Sequence, residues 1–344
     1  MPLASPSLRR AVRISRLRDV IFPGVCSMAS AASAPGSSSV SCCRRLCGSV
    51  LRDLLQPAQG VLFDCDGVLW EGERALPGAP ELVQLLHRRG KAALFVSNNS
   101  RRSLAELQQR FSRLGFGGVR SEHLFSSAFC SALFLRQRLG AQPGAKVYVI
   151  GGPGLRTELR EAGLTIVGDP AAEGAGEPEP GSELEAGVRA VLVGYDEEFN
   201  FHKLSQACLY LRDPECLLVA TDRDPWHLMS GGRRTPGTGS LAAAVETATS
   251  RKATVVGKPS VYMFEHVVGR FGIDPSRTLM VGDRLEMDIQ FGKNCGLTTI
   301  LTLTGVSQLA DVQANMESDV PAKRELVPDY YVDSIADLIP GLED

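Results

Sequence analysis

Short apolar runs alternate with helical patterns from residue 60 onward, and this alternation limits the fold more than any other feature of the sequence. GVLFD (60–64) and AALFVS (92–97) have the apolar character of buried strands. PELVQLLHRRG (80–90) and SLAELQQRFSRLG (103–115) repeat apolar residues at helical spacing and end on glycine. Strands that alternate with helices in this way predict a parallel sheet with helices on both faces. The predicted fold class is therefore α/β, with a Rossmann-like, doubly wound parallel sheet at its core.

The same pattern returns near the C-terminus, after a middle stretch of different spacing. The C-terminal block has four strand-like runs: ATVVGK (253–258), TLMVGD (278–283), TTILTLTG (298–305) and YYVDSI (330–335). The middle stretch has strand-like runs of its own: KVYVIGG (146–152), VRAVLVGY (188–195) and LLVATD (217–222). It is long enough to form a separate domain. We therefore expect a core formed by residues 48–142 and 252–344, an inserted α/β cap domain at 143–251, and an N-terminal extension at 1–47.

The composition is that of an ordinary globular protein and argues against several classes of function. The 344 residues allow two domains on a prior of roughly 100–200 residues each. A formal net charge of -2 without a recurring basic stripe gives no reason to expect a nucleic-acid partner. No run of about 18 apolar residues occurs, so we expect no membrane span. The nine cysteines form no CxxC pair, which favours free thiols in a reducing compartment, the cytoplasm.

The first residues differ in character from the rest of the chain. Five arginines precede the first acidic residue, Asp19, in MPLASPSLRRAVRISRLRDVIF. An arginine- and serine-rich, acid-poor N-terminus resembles a mitochondrial transit peptide. The alternatives are a disordered extension and translated sequence ahead of a start at Met28. We favour these alternatives, because nothing later in the sequence requires an organelle.

Four of the predicted core strands end on polar residues suited to phosphate chemistry. These residues are Asp64 and Asp66, then Ser97 with Asn98 and Asn99, then Lys258 in GKP, and Asp283 in GDRLEMD. In an open parallel sheet, ligands bind beyond the carboxyl ends of the strands, so the four endings converge on one pocket. Ionised carboxylates at the end of a buried strand lose hydration, and a bound cation would offset that loss.

The order D-x-D-G-V, S-N-N, G-K-P and G-D-x-x-x-x-D resembles the haloacid dehalogenase superfamily of phosphotransferases. The resemblance extends from about residue 55 to the end of the chain. The large insertion after S-N-N resembles the caps of the C2 type found in this superfamily. Membership implies a Mg²⁺-dependent phosphatase that works through an aspartyl-phosphate.

The resemblance also implies a role for each residue of the motifs. Asp64 would be the nucleophile, and Asp66 the general acid and then the general base. Substrate phosphate would bind to Ser97, Asn98, Asn99 and Lys258. The Mg²⁺ ligands would be Asp64, the backbone carbonyl of Asp66, and Asp283. Asp288 would support the metal site or cap the helix that follows, and the two roles are compatible.

The segment LLVATDRDPWHLMSGGRRTPGTGSLAAAVETA (217–248) points to a substrate. It resembles the cap of the pyridoxal phosphate phosphatases within the superfamily. Pyridoxal 5′-phosphate is then the implied substrate, and His227 would contact its pyridine portion. The alternative for His227 is that it packs beside Trp226 at a corner of the loop. The sister enzyme phosphoglycolate phosphatase lacks the RDPWH element, so phosphoglycolate or another small phosphomonoester is the second candidate substrate.

The same resemblance implies a dimer contact and a protein substrate, and one alternative belongs to a different class of function. It implies a homodimer through the cap at SLAAAVETA (240–248), although a buried intramolecular face would explain these alanines equally well. It also implies phosphoserine on the actin-severing protein cofilin as a substrate, and hence association with the actin cytoskeleton. The alternative is a non-catalytic protein that sequesters pyridoxal phosphate or scaffolds cytoskeletal partners. Every motif position is intact, which favours the enzyme.

Overall fold

The computed structural model describes residues 43–140, 144–168, 184–228 and 233–343. The arginine-rich N-terminal stretch lies outside these ranges. The prediction made for that stretch, a targeting peptide or an extension, therefore falls outside the described residues. Within them, no helix has both the length and the apolar character needed to cross a bilayer.

Strands and helices alternate along most of the described chain. The strands are β1 (Arg44–Arg45), β2 (Gly60–Phe63), β3 (Trp70–Glu71), β4 (Arg74–Ala75), β5 (Ala92–Ser97), β6 (Leu124–Ser126), β7 (Lys146–Ile150), β8 (Thr165–Val167), β9 (Val188–Val193), β10 (Leu217–Ala220), β11 (Trp226–Leu228), β12 (Arg234–Pro236), β13 (Thr254–Val255), β14 (Thr278–Gly282), β15 (Thr298–Thr302) and β16 (Tyr330–Val332). The α-helices are α1 (Gly48–Leu55), α2 (Ala79–Arg88), α3 (Leu104–Arg113), α4 (Ser127–Leu139), α5 (Pro153–Glu161), α6 (Phe201–Tyr210), α7 (Thr238–Thr249), α8 (Tyr262–Phe271), α9 (Gln290–Asn294), α10 (Leu309–Met316) and α11 (Pro321–Arg324). A π-helical turn (Leu285–Ile289) precedes α9, and 3₁₀ turns lie at Ser121–His123, Pro275–Arg277 and Ile335–Gly341.

The larger sheet has seven strands in the order β1-β16-β15-β14-β2-β5-β6. Every neighbouring pair in it is parallel. Apart from the short edge strand β1, this is the 3-2-1-4-5-6 order of a Rossmann-like sheet, which changes winding direction between β2 and β14. Phe63 and Val281 are paired in register, so the chain leaves both strands at the same edge. The predicted doubly wound α/β fold is confirmed.

The smaller sheet has five parallel strands in the order β13-β10-β9-β7-β8. The three strand-like runs of the middle stretch all lie in it. Taken in chain order, its strands follow 2-1-3-4-5, the other common doubly wound arrangement. The inserted segment therefore builds a second open α/β sheet.

Two predicted assignments in the larger sheet were wrong. β13 pairs with β10 of the smaller sheet, so the run ATVVGK (253–258) begins in that sheet rather than in the core. An apolar run predicts a strand but does not determine which sheet the strand joins. We also expected the fold to begin near residue 48, whereas β1 pairs with β16 and the buried Leu46 follows it. Two arginines at a sheet edge give no apolar signal.

Core and cap meet at the loop after β5. Ser103 and Glu106 form a capping box that starts α3, and Glu158 of α5 accepts a hydrogen bond of 2.6 Å from the Leu104 backbone N–H. A Cβ atom on Gly154 of α5 would lie 2.4 Å from the Arg101 carbonyl oxygen, so only glycine lets the loop approach this closely. Further along, the Tyr195 N–H donates to Ser100 Oγ over 3.1 Å. These contacts fix the cap next to the S-N-N motif.

Candidate active site

A pocket of about 300 Å³ opens at the carboxyl edge of the larger sheet, where the winding changes between β2 and β14. The structure brings all the site residues predicted from the sequence to its walls: Asp64, Asp66, Ser97, Asn98, Asn99, His227, Lys258, Asp283 and Asp288. Asp64 and Asp283, more than 200 positions apart, meet because the adjacent parallel strands β2 and β14 end at the same edge. Lys258, which follows β13, and His227 on β11 reach the pocket from outside the larger sheet.

Lys258 is buried between two carboxylates. Its Nζ donates to Asp64 Oδ1 over 2.5 Å, to Asp288 Oδ1 over 2.7 Å and to the Val96 carbonyl over 3.0 Å. Burial opposes the charged ammonium, but the carboxylates of Asp288 and Asp64 outweigh it and raise the pKa of Lys258. Burial raises the pKa of Asp64 to about 7, although Lys258 acts in the opposite direction. The pocket floor thus holds a fixed cation beside the candidate nucleophile.

Asp66 is held in place by two side-chain donors. The Trp70 indole N–H donates to its Oδ1 over 2.8 Å, and the Asn99 amide donates to its Oδ2 over 3.2 Å. Gly67 follows with a φ of 86°, a left-handed conformation that glycine adopts without strain. The chain therefore turns directly after Asp66, and both carboxylates line the pocket.

Three carboxylates, Asp64, Asp283 and Asp288, place oxygen atoms within 4.8 Å of one another. Burial raises the pKa of Asp283 well above its usual value, and the neighbouring Asp288 and Asp64 raise it further. Bare backbone surrounds Asp283, since a Cβ on Gly305 would lie 2.0 Å from its Oδ2. The close backbone fixes the position of the Asp283 carboxylate, and hard oxygen ligands with crowded negative charge fit a divalent cation such as Mg²⁺.

The prediction that Asp288 caps the helix that follows was wrong: α9 has Ile289 at its N-cap position, and the Asp288 side chain accepts from groups that precede it in the chain. Its Oδ2 accepts the backbone N–H groups of Asp283 and Arg284, over 3.1 and 3.0 Å, at the entrance to the π-helical turn. Its Oδ1 accepts from Lys258. Asp288 therefore fixes the loop that carries Asp283 while it neutralises Lys258.

Ser97, which ends β5, and the two asparagines that follow it are not equivalent. Ser97 Oγ accepts the Asn99 N–H over 3.2 Å and lines the pocket. The Asn98 side chain, expected on the substrate phosphate, is instead saturated: its Oδ1 accepts the Lys258 N–H over 2.8 Å, and its Nδ2 donates to the Lys258 carbonyl over 3.1 Å. The same Nδ2 lies 3.1 Å from Asp224 Oδ1 of the cap. Its amide thus positions Lys258.

The cap contributes His227, which lies on β11 and is mostly buried. Burial lowers its pKa, so the ring is neutral near pH 7. Its ring meets that of Tyr195 edge-on, with 5.1 Å between centroids. Its Nε2 is buried and makes no hydrogen bond to any described residue. A buried ring nitrogen without a partner is costly unless a ligand supplies one.

Several residues of the site were not singled out from the sequence. Asp224, Arg284, Trp70 and Arg101 all line the pocket. Asp224 and Arg284 each adjoin a predicted motif, in RDPWH and GDR, and Trp70 closes DGVLW. Their position beside the motifs could have marked them as candidates. Their contacts could not be predicted, because these depend on how cap and core meet.

Two family models match the chain: one described as haloacid dehalogenase-like hydrolase, over residues 61–165, and one described as HAD-hydrolase-like, over residues 255–338. Chronophin from Homo sapiens is 66% identical over 304 residues, which cover 88% of this chain and 99% of that protein. Glycerol-3-phosphate phosphatase from Gallus gallus is 54% identical over 306 residues, covering 88% of this chain and 97% of that protein.

A solved structure of glycerol phosphate phosphatase from Mycobacterium tuberculosis in complex with magnesium has the same fold. It superposes with a TM-score of 0.67 at 30% identity and covers 83% of this chain and 78% of that one. Together with the pocket described above, these matches show that the chain belongs to the haloacid dehalogenase-like hydrolases and, within them, to the phosphatases of phosphoric monoesters that include chronophin.

Proposed function

We propose that the chain hydrolyses pyridoxal 5′-phosphate to pyridoxal and phosphate in a Mg²⁺-dependent reaction that passes through an aspartyl-phosphate. The observation that supports this substrate is the buried Nε2 of His227, which has no hydrogen-bond partner among the described residues. It lies in the same pocket as Asp64 and Asp66, so a phosphate ester bound at Asp64 brings its organic portion toward His227. The hydroxyl and ring nitrogen of pyridoxal supply hydrogen-bonding partners at fixed positions on a rigid ring, whereas the polar groups of a short aliphatic ester lie on a flexible chain.

Asp64 and Asp66 have different roles in the reaction. A carboxylate oxygen of Asp64 attacks phosphorus, and the bond between phosphorus and the pyridoxal oxygen breaks. Asp66 gives its proton to that leaving oxygen. It then takes a proton from a water molecule that attacks the aspartyl-phosphate, which releases phosphate and restores Asp64. The hydrogen bonds from Trp70 and Asn99 hold Asp66 ready for both transfers.

The remaining residues position charge around the phosphoryl group. The Ser97 hydroxyl supplies a donor at the pocket floor and Lys258 supplies positive charge, and phosphoryl transfer depends mainly on such positioning and electrostatic stabilisation. Asp64, Asp283 and the backbone carbonyl of Asp66 would hold Mg²⁺, with Asp288 behind them. Bound there, the ion would offset the negative charge of the nucleophile and of the phosphoryl oxygens.

The role of His227 is tested by steady-state kinetics of His227→Asn. For pyridoxal 5′-phosphate we expect KM to rise by about tenfold, which corresponds to roughly 1.4 kcal/mol, the scale of one hydrogen bond. For p-nitrophenyl phosphate we expect little change, because its ring has no matching hydroxyl or ring nitrogen. His202→Asn, in α6 outside the pocket, is the matched control. Equal losses on both substrates would contradict a contact to the pyridoxal portion.

Glycerol 3-phosphate is the second candidate, since a relative at 54% identity carries the name glycerol-3-phosphate phosphatase. The assay therefore compares pyridoxal 5′-phosphate with two small esters, glycerol 3-phosphate and phosphoglycolate. A higher kcat/KM for either small ester than for pyridoxal 5′-phosphate would transfer the assignment. The resemblance to pyridoxal phosphate phosphatases also implies phosphoserine on cofilin, and release of phosphate from phosphorylated cofilin is measured in parallel.

We also propose a homodimer through α7. Ala242 and Val245 face the interior of the cap, whereas Ala243 and Thr247 are exposed one turn apart. Small exposed side chains let a second helix approach closely. Light scattering tests the contact: Ala243→Arg should halve the molecular mass measured in solution, and an unchanged mass would exclude this face.

We place the enzyme in the reducing cytoplasm, consistent with thiols at Cys47, Cys65, Cys130, Cys208, Cys216 and Cys295.

A further inference from the structure

The hairpin formed by β3 and β4 begins four residues after Asp66 and borders the catalytic pocket. Trp70 on β3 donates its indole N–H to Asp66 Oδ1 over 2.8 Å. The Trp70 ring is buried and meets the rings of Phe111 and Phe116 edge-on, with 4.9 and 6.0 Å between centroids. The direction of the indole N–H, and with it the position of the Asp66 carboxylate, therefore depends on how this ring is held.

Arg110 of α3 lies against the same ring. Its guanidinium carbon is 4.7 Å from the centroid of the Trp70 ring, within the distance at which a cation is attracted to the face of an indole. Arg110 is 3% exposed and lines the catalytic pocket. Because a cation–π contact is stronger where water is excluded, the burial of Arg110 makes it an effective support for Trp70.

Pairing with acids does not explain why Arg110 is buried. Its Nη2 donates to the carbonyl of Gly72 in the turn of the hairpin, but its Nε is buried and makes no hydrogen bond to any described residue. Glu73 Oε1 lies 3.6 Å from Nη2, yet the Glu73 side chain is 64% exposed and lies near Arg102 and Arg113 as well. An exposed carboxylate shared among three arginines offsets little of the cost of burying one of them. A buried polar group left without a partner beside an active site calls for a functional reason.

We propose that Arg110 is a positioning residue for proton transfer: its guanidinium holds the Trp70 ring, and Trp70 holds Asp66 where it gives its proton to the leaving oxygen. This role rests on the proposed function of Asp66 as the general acid. It does not depend on which alkyl phosphate the enzyme hydrolyses.

The leaving group separates this role from a purely structural one. The alcohol oxygen of pyridoxal or of glycerol is a poor leaving group that needs the proton of Asp66, whereas p-nitrophenolate is stable without one. Single-turnover rates, with enzyme in excess over substrate, report release of the leaving group and exclude the later hydrolysis of the aspartyl-phosphate. A loss of folded protein would lower the rates for all substrates equally.

Arg110→Gln removes the guanidinium and keeps an amide donor for the Gly72 carbonyl. We expect about a tenfold lower single-turnover rate for pyridoxal 5′-phosphate and glycerol 3-phosphate, because misplacing a general acid forfeits part of its contribution of about 100-fold or more. The rate for p-nitrophenyl phosphate should stay within about twofold of the wild type. Trp70→Phe, which removes the indole N–H, should show the same selectivity, and adding Arg110→Gln to it should cost little more. Arg113→Gln, at an exposed arginine that faces Glu73 from outside the pocket, should leave all three rates unchanged.

Asp66→Asn distinguishes failure of the positioning role from failure of the proposed function. Equal losses on alkyl and aryl esters in Asp66→Asn would remove the role of Asp66 as general acid and the role of Arg110 with it. A selective loss in Asp66→Asn without one in Arg110→Gln would overturn the role of Arg110 alone.

Circular dichroism checks that each variant is folded, and Arg110→Lys replaces Arg110→Gln in the test if the latter is not. Its ammonium keeps the buried charge but lacks the flat guanidinium that packs on the indole. We therefore expect a smaller loss, about threefold, confined to the alkyl esters. Wild-type rates of Arg110→Lys on all three substrates would then overturn the proposal.

Discussion

Lys258 supplies one buried positive charge to a cluster of three buried carboxylates, Asp64, Asp283 and Asp288. Taking such charges out of water is costly, and a single lysine does not balance three acids. The raised pKa of Asp283, caused by burial and then by Asp288 and Asp64, expresses that imbalance. Residues arranged in this way give up stability in the free protein to hold a cation and a phosphoryl group.

Mg²⁺ should therefore stabilise the fold. A ligand at about a hundredfold excess over its Kd adds about 2.7 kcal/mol to the free energy of unfolding. We expect thermal unfolding to shift upward with Mg²⁺ in the wild type and to stay unchanged in Asp283→Asn, with sodium chloride at matched ionic strength as the control. An equal Mg²⁺ shift in both proteins would place the ion elsewhere.

Asp222 gives a stability effect that depends on pH. It is fully buried, and burial together with the neighbouring Asp224 raises its pKa to about 8. In the unfolded chain it titrates near 3.8. Between these values the folded state holds one proton more, so its stabilising contribution is complete at low pH and is lost as the pH rises through about 8.

Urea unfolding from pH 4 to pH 9 measures this effect. The Asp222 contribution should decline by at most about 1.4 kcal/mol per pH unit, and Asp222→Asn should remove that decline. Asp213→Asn, an exposed cap acid, should retain it. Identical pH profiles for wild type and Asp222→Asn would show that Asp222 is ionised in the folded protein.

Loops that leave the strands determine where the catalytic groups lie. The loop after β15 crosses Asp283 through Gly305, where a Cβ would lie 2.0 Å from Asp283 Oδ2 and 2.5 Å from its Cγ. We expect Gly305→Ala to displace Asp283 and lower kcat by about 100-fold, since a shift of about 1 Å is enough for such a loss. Gly269→Ala in α8, whose Cβ would meet nothing within 4 Å, should leave kcat unchanged. Full activity of Gly305→Ala would mean that the position of Asp283 does not matter.

At the scale of elements, the sequence predicted most of the core and less of its connections. The strands that lead to Asp64, Ser97 and Asp283 were predictable, because short apolar runs bounded by glycine or polar residues and separated by helical patterns are typical of buried parallel strands. The π-helical turn around Asp288 was not, since apolar spacing does not separate it from an α-helix. The sheet joined by β13 and the contacts of Asn98 depend on the arrangement of the cap, which no local pattern encodes.

Core and cap are joined in the whole molecule by a stack of three side chains. The guanidinium of Arg234 in the cap lies 3.9 Å from the centroid of the Trp226 ring, and that of Arg284 in the core lies 4.7 Å from it. Arg284 Nη2 also donates to the Trp226 carbonyl over 3.0 Å. Because Arg284 follows Asp283 and His227 follows Trp226, the stack connects the metal loop to the substrate-binding ring.

Trp226→Leu should remove the stack and keep the backbone hydrogen bond. Cation–π contacts are worth about 0.5–2 kcal/mol, so we expect KM for pyridoxal 5′-phosphate to rise by about two- to thirtyfold. The kcat for p-nitrophenyl phosphate should change little. Phe201→Leu, at an exposed aromatic of the cap, is the control. An unchanged KM would mean that His227 is positioned without the stack.

Phosphate release from pyridoxal 5′-phosphate, glycerol 3-phosphate and phosphoglycolate, with and without Mg²⁺, tests the central claim most directly. Asp64→Asn provides the background, with circular dichroism to check that it is folded. The account predicts Mg²⁺-dependent release with the highest kcat/KM for pyridoxal 5′-phosphate, and none from the variant. Release by folded Asp64→Asn at the wild-type rate would contradict the aspartyl-phosphate mechanism, and a preference for either small ester would contradict the role given to His227.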